Sequence, residues 1–392
     1  MKSFSLRAFE FTLVLFALSV ALTMHAMATG GEEQQLWGFN YSYYLIPLLT
    51  VNIMICLGSI NVLRMSGLNK WILLWTIVVT LSSLFISSNP IIALIRVNIW
   101  TTSYFAAYCL VRNNRNSIDD IVKVFIIIFF ISLFFFWHGK MQQSVNYKYG
   151  FETRSNAIYC LVTIVPFIML LKKKWFVLFL ILLIFVSTVF STKRGATLIL
   201  IFTLIPVIRS VFAEMRSKTW RSVLIMLIVG ATAYMLFYIS ESFLGGVIID
   251  RFTEAKETGG GRTGIWVGVL NAYNNNSSIP EQLFGHGFYS VSSLGSVTAA
   301  HNDFIEVLYD YGIVGIIIYL IIHFYMIFKL LRLKKQKNTL FFSYAVMYMI
   351  FFIMSMVSIL IVQQRYLVYM AIFWGMLEGC NYKYEITSNE MK

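Results

Sequence analysis

The sequence predicts an all-α fold, a polytopic bundle of helices embedded in a membrane, and two observations lead to it. Hydrophobic residues make up 58% of the 392-residue chain and charged residues only 12%, and the mean hydropathy is +0.74. Soluble domains are about 45–50% apolar and about 25% charged. The apolar residues also fall in runs of about 20, the length that crosses a hydrocarbon core as a helix, whereas a β-barrel would show short alternating strands.

About twelve apolar runs of this length follow one another along the chain. They are centred near residues 18, 51, 79, 101, 129, 164, 182, 204, 231, 316, 351 and 373. The first run is too long for a cleaved signal peptide and is expected to remain as the first helix. The ninth and tenth runs are separated by a hydrophilic stretch, 241–302. We therefore expect one membrane domain over residues 1–392, in which the 241–302 loop carries part of a functional site.

The distribution of Lys and Arg predicts the orientation, because cytoplasmic loops retain these residues. With the N-terminus in the cytoplasm, most cations fall on the cytoplasmic side, including the run 172–174 and the cluster within 329–337. Both termini are then cytoplasmic and the 241–302 loop is outside. This bias accounts for most of the net charge of +13 as attraction to anionic lipid, so we predict no nucleic-acid partner.

The cysteines and histidines give no sign of a disulfide framework or of a metal site. All four cysteines fall in or beside apolar runs, where neither a disulfide pattern nor a reactive thiol is indicated. The His-Glu-x-x-His spacing of zinc enzymes does not occur, and we predict no cofactor.

Three arginines on the predicted outer side run against the orientation rule. Arg194 lies in the turn between the seventh and eighth runs, Arg262 in the glycine-rich segment 259–266, and Arg365 in the turn between the last two runs. Guanidinium groups bind phosphate bidentately, and more strongly where water is partly excluded. We predict that they hold an anionic headgroup. The alternative is that each reaches out to the phosphate of a bilayer lipid.

His301 lies at the edge of the tenth run, where a neutral imidazole could accept a proton from a hydroxyl near physiological pH. The alternative is a histidine that only caps the helix. If the helix is continuous from His301, at about 100° per residue, Gly312 and Gly315 share its face. Three acidic residues then cluster near the opposite face: Asp303, Glu306 and Asp310.

Two ionisable residues are expected within the hydrocarbon region. Asp310 falls about two turns inside the tenth run, and Arg96 falls within the fourth. Such groups are costly in lipid and normally face protein or water. A pairing between the two is one arrangement that the sequence leaves open.

Several short motifs occur in a characteristic order on the predicted outer side. They are Lys193-Arg194-Gly195-Ala196 opening a run, Gly261-Arg262 followed by Trp266, Gly285-His286-Gly287, and His301-Asn302 followed by Gly312 and Gly315. Over residues 190–330 this order resembles the O-antigen ligase and O-antigen polymerase superfamily of bacterial cell envelopes. The chain departs from that pattern at Lys193, where ligases often carry serine.

The resemblance implies a membrane-embedded glycosyltransferase of the bacterial inner membrane, whose donor is a glycan on undecaprenyl diphosphate and whose active site faces the periplasm. It implies that Arg194 and Arg262 hold the lipid diphosphate and that His301 activates the acceptor hydroxyl. Arg365, from its charge and position alone, is a third candidate for binding the diphosphate. Further candidates for sugar or acceptor contacts are Lys193, Trp266, His286, Asn302 and Asp303. Membrane lipids and a chain-length regulator protein are the expected partners.

Two functions within the superfamily, and two outside it, fit the sequence. A polymerase adds the glycan to another lipid-linked repeat unit, and a ligase adds it to lipid A core. The segments 259–266 and 301–308 favour the polymerase. A lipid-linked glycan flippase would also have about twelve spans, but transporters often show repeated halves, and the 241–302 loop has no counterpart in the first half of the chain. An envelope scaffold would give the outer arginines no role.

Overall fold

The structure, a computed structural model, describes residues 3–29, 41–65, 67–114, 117–146, 155–191, 193–214, 262–295 and 299–390. These residues are helical or lie in connecting turns, and no strand occurs among them. In chain order the α-helices of the described residues are α1 Phe4–Thr29, α2 Tyr41–Gly58, α3 Leu68–Phe85, α4 Pro90–Asn113, α5 Ser117–Asn146, α6 Ile158–Ile168, α7 Lys174–Ser191, α8 Arg194–Glu214, α9 Arg262–Asn276, α10 Ile279–Phe284, α11 Asp303–Lys335, α12 Phe341–Val357 and α13 Gln364–Glu390. Two short 3-10 helices lie at Ile60–Val62 and Ser290–Leu294.

The helices account for the predicted apolar runs wherever the chain is described. Six are long and apolar enough to cross a membrane, namely α1, α3, α5, α7, α8 and α11, and three shorter apolar helices lie within α2, α6 and α12. The all-helical fold with membrane-spanning helices is therefore confirmed. The run centred near residue 231 and the loop segment 241–261 lie outside the described residues. The count of twelve spans and the orientation stay predictions.

The packing of α13 on α4 depends on two glycines four residues apart. A Cβ at Gly375 would overlap the carbonyl group of Tyr104, and one at Gly379 would come within 2.6 Å of the carbonyl oxygen of Tyr108. Small residues at this spacing let two backbones approach closely in a membrane, where packing rather than the hydrophobic effect holds helices together. The pair therefore explains the extensive contact between these two helices.

The helix that follows His301 is not continuous, so the expectation that it runs uninterrupted from that residue is wrong. His301 has φ 54° and precedes the helix. Asn302 caps α11 by accepting a hydrogen bond from the Phe304 N–H at 2.9 Å, and Gly312 interrupts it with φ 66°. A Cβ at Gly312 would overlap the carbonyl group of Leu283, so the close approach of α10 also requires a glycine there.

The loop after α10 supplies hydrogen bonds to the interrupted helix. The His286 N–H donates to the Tyr309 carbonyl at 3.0 Å, and the Gly287 N–H donates to the Asp310 carbonyl at 2.9 Å. The buried Asp310 carboxylate accepts from the N–H groups of Tyr289 (2.8 Å) and Ser290 (2.9 Å). Asp310 thus faces protein, as predicted.

The suggested pairing of Asp310 with Arg96 does not occur. The Asp310 carboxylate is held by the loop after α10, and the ion pairs of the described residues do not join it to Arg96. The Nε atom of Arg96 is buried and has no hydrogen-bond partner among the described residues.

Candidate functional site

A cavity of about 200 Å³ opens where several helix ends meet at one end of the bundle. Its walls come from the start of α6, the α7–α8 turn, the start of α9, the residue before the α11 cap, and the α12–α13 turn. Four of the residues predicted for the site line it: Lys193, Arg194, Arg262 and His301. The structure therefore brings together side chains that are more than 100 positions apart in sequence.

The basic residues of the cavity project from helix starts. Lys193 directly precedes α8, Arg194 is its first residue, and Arg262 is the first residue of α9. Among the described residues that line the cavity there is no Asp or Glu. Partial burial lowers the pKa of Arg262; the nearby Tyr159 opposes this shift, and the positive charge of Arg194 adds to it. Because arginine stays protonated in proteins, the walls carry a concentrated positive charge.

Gly195 lets the start of α8, where Lys193 and Arg194 lie, come close to the neighbouring helices. A Cβ at this position would come within 2.5 Å of the Tyr159 hydroxyl and 3.3 Å of a Val357 methyl group. A larger residue at this position would require the Tyr159 side chain or the start of α8 to move. The glycine in the 193–196 motif thus leaves room for the Tyr159 hydroxyl beside the start of α8.

His301 is fixed through its neighbours in the chain. Trp266 donates its Nε1–H to the carbonyl of the buried Ala300 at 2.8 Å, and the Ala300 N–H donates to the Glu306 carboxylate at 2.7 Å. Asn302 caps the helix that follows. A non-glycine residue in the left-handed region is uncommon, although histidine is among the residues more often found there, and the conformation costs on the order of 1–3 kcal/mol unless its surroundings stabilise it.

The environment of His301 favours the neutral imidazole. Burial lowers its pKa below the usual 6.5, and the positive charges of Arg262 and Lys193 lower it further. No hydrogen bond joins the imidazole to another residue of the described chain. A neutral imidazole that lines a cavity is in the protonation state that a general base requires.

Arg365 lies beside the cavity and not in its lining. Its Nε–H donates to Oε1 of Gln363 at 2.7 Å, and its guanidinium lies 5.8 Å from the centre of the Tyr366 ring. Gln363 and Tyr366 both line the cavity. Arg365 therefore supports the rim through two residues that face the cavity.

The other predicted contact residues are engaged by the protein. Trp266 holds Ala300, Asn302 caps α11, and neither lines the cavity. Asp303 is fully buried and accepts hydrogen bonds from the Tyr319 hydroxyl and the Ile361 N–H, each at 3.1 Å.

His286 also belongs to the framework. Its ring stacks on Tyr309 with centroids 4.3 Å apart, its Nδ1 lies 3.1 Å from the Tyr309 carbonyl oxygen, and its Nε2 lies 3.1 Å from the Ser277 hydroxyl. The glycines beside it have φ of 80° and 91°, so the Gly-His-Gly motif shapes the turn that packs on α11.

Sequence reasoning missed several polar residues of the cavity. They are Asn156, Tyr159, Ser358, Gln363 and Tyr366. The Tyr366 hydroxyl donates to the Asn156 carbonyl at 3.1 Å and ties the start of α13 to the start of α6. The available signal was that each lies at the predicted outer end of an apolar run.

The segment that contains Lys193, Arg194, Arg262 and His301 also carries the family signature. Residues 178–320 match the O-antigen ligase family. The resemblance recognised in the sequence is thereby confirmed over this segment, which runs from α7 into α11. None of the curated proteins matches the chain. Within the described residues, no group of three or more His, Cys, Asp or Glu side chains could hold a metal ion.

Proposed function

We propose that this O-antigen ligase family chain is a membrane-embedded inverting glycosyltransferase and acts as a surface polysaccharide polymerase. It would transfer a glycan from undecaprenyl diphosphate to the non-reducing end of another lipid-linked repeat unit, on the periplasmic face of the bacterial inner membrane. The observation that carries the proposal is that Arg194, Arg262 and His301 line a single cavity.

The chemistry assigns a role to each of these three residues. The acceptor hydroxyl attacks the anomeric carbon of the donor sugar, and its proton passes to the imidazole of His301. The bond from that carbon to the diphosphate breaks in the same step, which inverts the anomeric centre. Negative charge develops on the leaving diphosphate, where Arg194 and Arg262 stabilise it as fixed charges and as bidentate donors.

The polarity of the cavity supports an anionic donor. Three cationic side chains, Lys193, Arg194 and Arg262, line the cavity, and cations that are partly shielded from water are stabilised by a bound anion. Lys193 adds a point charge that a single diphosphate can share with the arginines. The cavity lies at the end of membrane-spanning helices, so a donor whose polyprenyl chain stays in the bilayer can reach it.

The ligase reaction is the second candidate, and the description of the matching family favours it. Its donor chemistry is the same and its acceptor is lipid A core. We prefer the polymerase because of the segments 259–266 and 301–308; of the first, residues 259–261 lie outside the described residues.

The acceptor decides between the two reactions. The protein in liposomes is supplied with undecaprenyl-diphosphate-linked repeat units, with and without lipid A core, and the products are separated on a gel. A ladder without core establishes the polymerase, and product only with core establishes the ligase. No coupling in either case, with His301→Ala indistinguishable from the wild type, would refute the glycosyltransferase and favour a flippase.

Variants separate the donor site from the base. Arg194→Gln and Arg262→Gln should each weaken binding of undecaprenyl diphosphate and abolish product. His301→Ala should retain that binding and lower the rate by about 10²- to 10⁴-fold, the usual contribution of a general base. Arg332→Gln, in the last turn of α11 and outside the cavity lining, is the matched control and should behave as wild type. Full activity in all three cavity variants would refute the mechanism.

A further inference from the structure

We propose that α10 is immersed in the boundary between headgroups and acyl chains of the bilayer, on the side at which the cavity opens. The helix would then fasten the loop beside the site to the membrane surface. This inference concerns contact with lipid alone and does not rest on the proposed function.

The first observation is the exposure of apolar side chains on a very short helix. Ile279 is 74% exposed, Phe284 49% and Leu283 39%, although α10 has only six residues. Three large apolar side chains presented by one turn and a half of helix are rarely left in water.

The second observation is the position of α10 beside a membrane-spanning helix. The Phe284 carbonyl accepts a hydrogen bond from the Ser82 hydroxyl, in the last turn of α3, at 3.3 Å. Phe85, the last residue of α3, is 77% exposed, and Ile91, in the first turn of α4, is 72% exposed. Since α3 is long and apolar enough to cross a membrane, we expect lipid to reach the exposed apolar side chains at its end, and the hydrogen bond from Ser82 places α10 beside them.

The third observation is the scarcity of charge. Across residues 263–302 the only Asp, Glu, Lys or Arg is Glu281. Its carboxylate accepts from the Ser278 N–H at 2.7 Å within a capping box. The negative charge therefore caps the start of α10. A segment without Lys or Arg has no fixed positive charge to draw it to anionic lipid, so we infer that its contact with the bilayer comes from apolar insertion.

The attachment of α10 to the bundle fixes its depth. A Cβ at Gly312 would overlap the Leu283 carbonyl group, and the Phe288 N–H donates to the hydroxyl of Ser87, in the α3–α4 turn, at 2.8 Å. The helix is therefore held between α3 and α11 at a constant height, and a probe on it reports a defined position.

Spin labels on the full-length protein test the proposal. Nitroxides are attached at Ile279→Cys and Leu283→Cys in a Cys56→Ala background, because Cys56 is the cysteine that is not buried. Asn275→Cys on the exposed face of α9 is the matched polar control, and Phe134→Cys, 62% exposed on the membrane-spanning α5, is the lipid reference. Collision with oxygen and with a water-soluble nickel chelate is measured in phosphatidylethanolamine and phosphatidylcholine vesicles.

We expect the labels at 279 and 283 to favour oxygen, as the label at 134 does, at a depth of about 5–10 Å below the phosphates. The label at 275 should favour the nickel chelate. Adding phosphatidylglycerol should leave all depths unchanged, since residues 263–302 contain no Lys or Arg. Preference for nickel at 279 and 283 would overturn the proposal. So would shielding from both reagents, because it would show that protein covers the helix.

Discussion

The hydrogen bond from Trp266 to the Ala300 carbonyl provides a direct test of how His301 is positioned. The bond is 2.8 Å long and ends on the buried residue that precedes His301. Trp266→Phe removes the N–H donor and keeps an aromatic ring. The substitution therefore separates a positioning role for Trp266 from the sugar stacking that its sequence context suggests.

The expected size of the effect follows from the loss of one buried hydrogen bond. Such a bond contributes about 1 kcal/mol net, and a buried carbonyl left without a donor costs about 1–3 kcal/mol. Every 1.4 kcal/mol is about tenfold in rate. If the whole loss falls on the transition state, kcat decreases by about 5-fold to about 150-fold. The KM for the lipid-linked donor should not change, because Arg194 and Arg262 are untouched.

The assay is the initial rate of glycan transfer in liposomes, measured for Trp266→Phe, Trp266→Ala and Trp175→Phe. Trp175 is 56% exposed on α7 and serves as the matched control. If Trp266 instead stacks on a sugar, the phenylalanine variant keeps its kcat and the alanine variant raises KM. A kcat for Trp266→Phe within about twofold of the wild type would therefore refute the positioning role.

Three further predictions concern charge, packing and the loop. Because burial and two cations lower the pKa of His301, the acidic limb of the kcat/KM profile should lie below pH 6.5. Lys193→Gln removes one of the cations, so it should raise that pKa and move the limb to higher pH. A shift of the limb to lower pH would contradict the assignment of His301. Gly375→Ala should lower the thermal unfolding midpoint, since its Cβ would overlap the α4 backbone. In the control Gly268→Ala the added Cβ meets nothing within 4 Å, and the substitution should stabilise α9 by about 0.5–1 kcal/mol. Equal unfolding midpoints for the two variants would refute the close contact. Asp310→Ala leaves the N–H groups of Tyr289 and Ser290 without their acceptor, at up to about 1–3 kcal/mol each, and should speed proteolysis within 285–295. An unchanged cleavage rate would show that the carboxylate does not hold this loop.

The membrane fold could be predicted because its signal is local. A run of about 20 apolar residues specifies a spanning helix whatever surrounds it, and the six helices that meet this standard coincide with predicted runs. The contact between α4 and α13 has a local signal too, the spacing of Gly375 and Gly379, but its partner could be found only in three dimensions.

The charged residues of the cavity could be predicted for a different reason. Arg194 and Arg262 contradict the distribution of cations that topology imposes, so each required an explanation that did not depend on the fold. Asn156 and Gln363 contradict no such rule. Polar residues are common at helix ends, and which ends meet is decided by packing over the whole bundle.

The error at His301 shows why the first turns of α11 deserve separate treatment. A helix that ran unbroken from His301 would tie the position of that residue to the direction of the whole transmembrane segment. The left-handed conformations of His301 and Gly312 instead leave a short helix, 303–311, between them. Trp266 and Glu306 hold the chain just before it, and the loop after α10 binds its last carbonyls. The position of His301 is thus set by the segment beside the cavity, and it does not depend on the direction of α11 beyond Gly312.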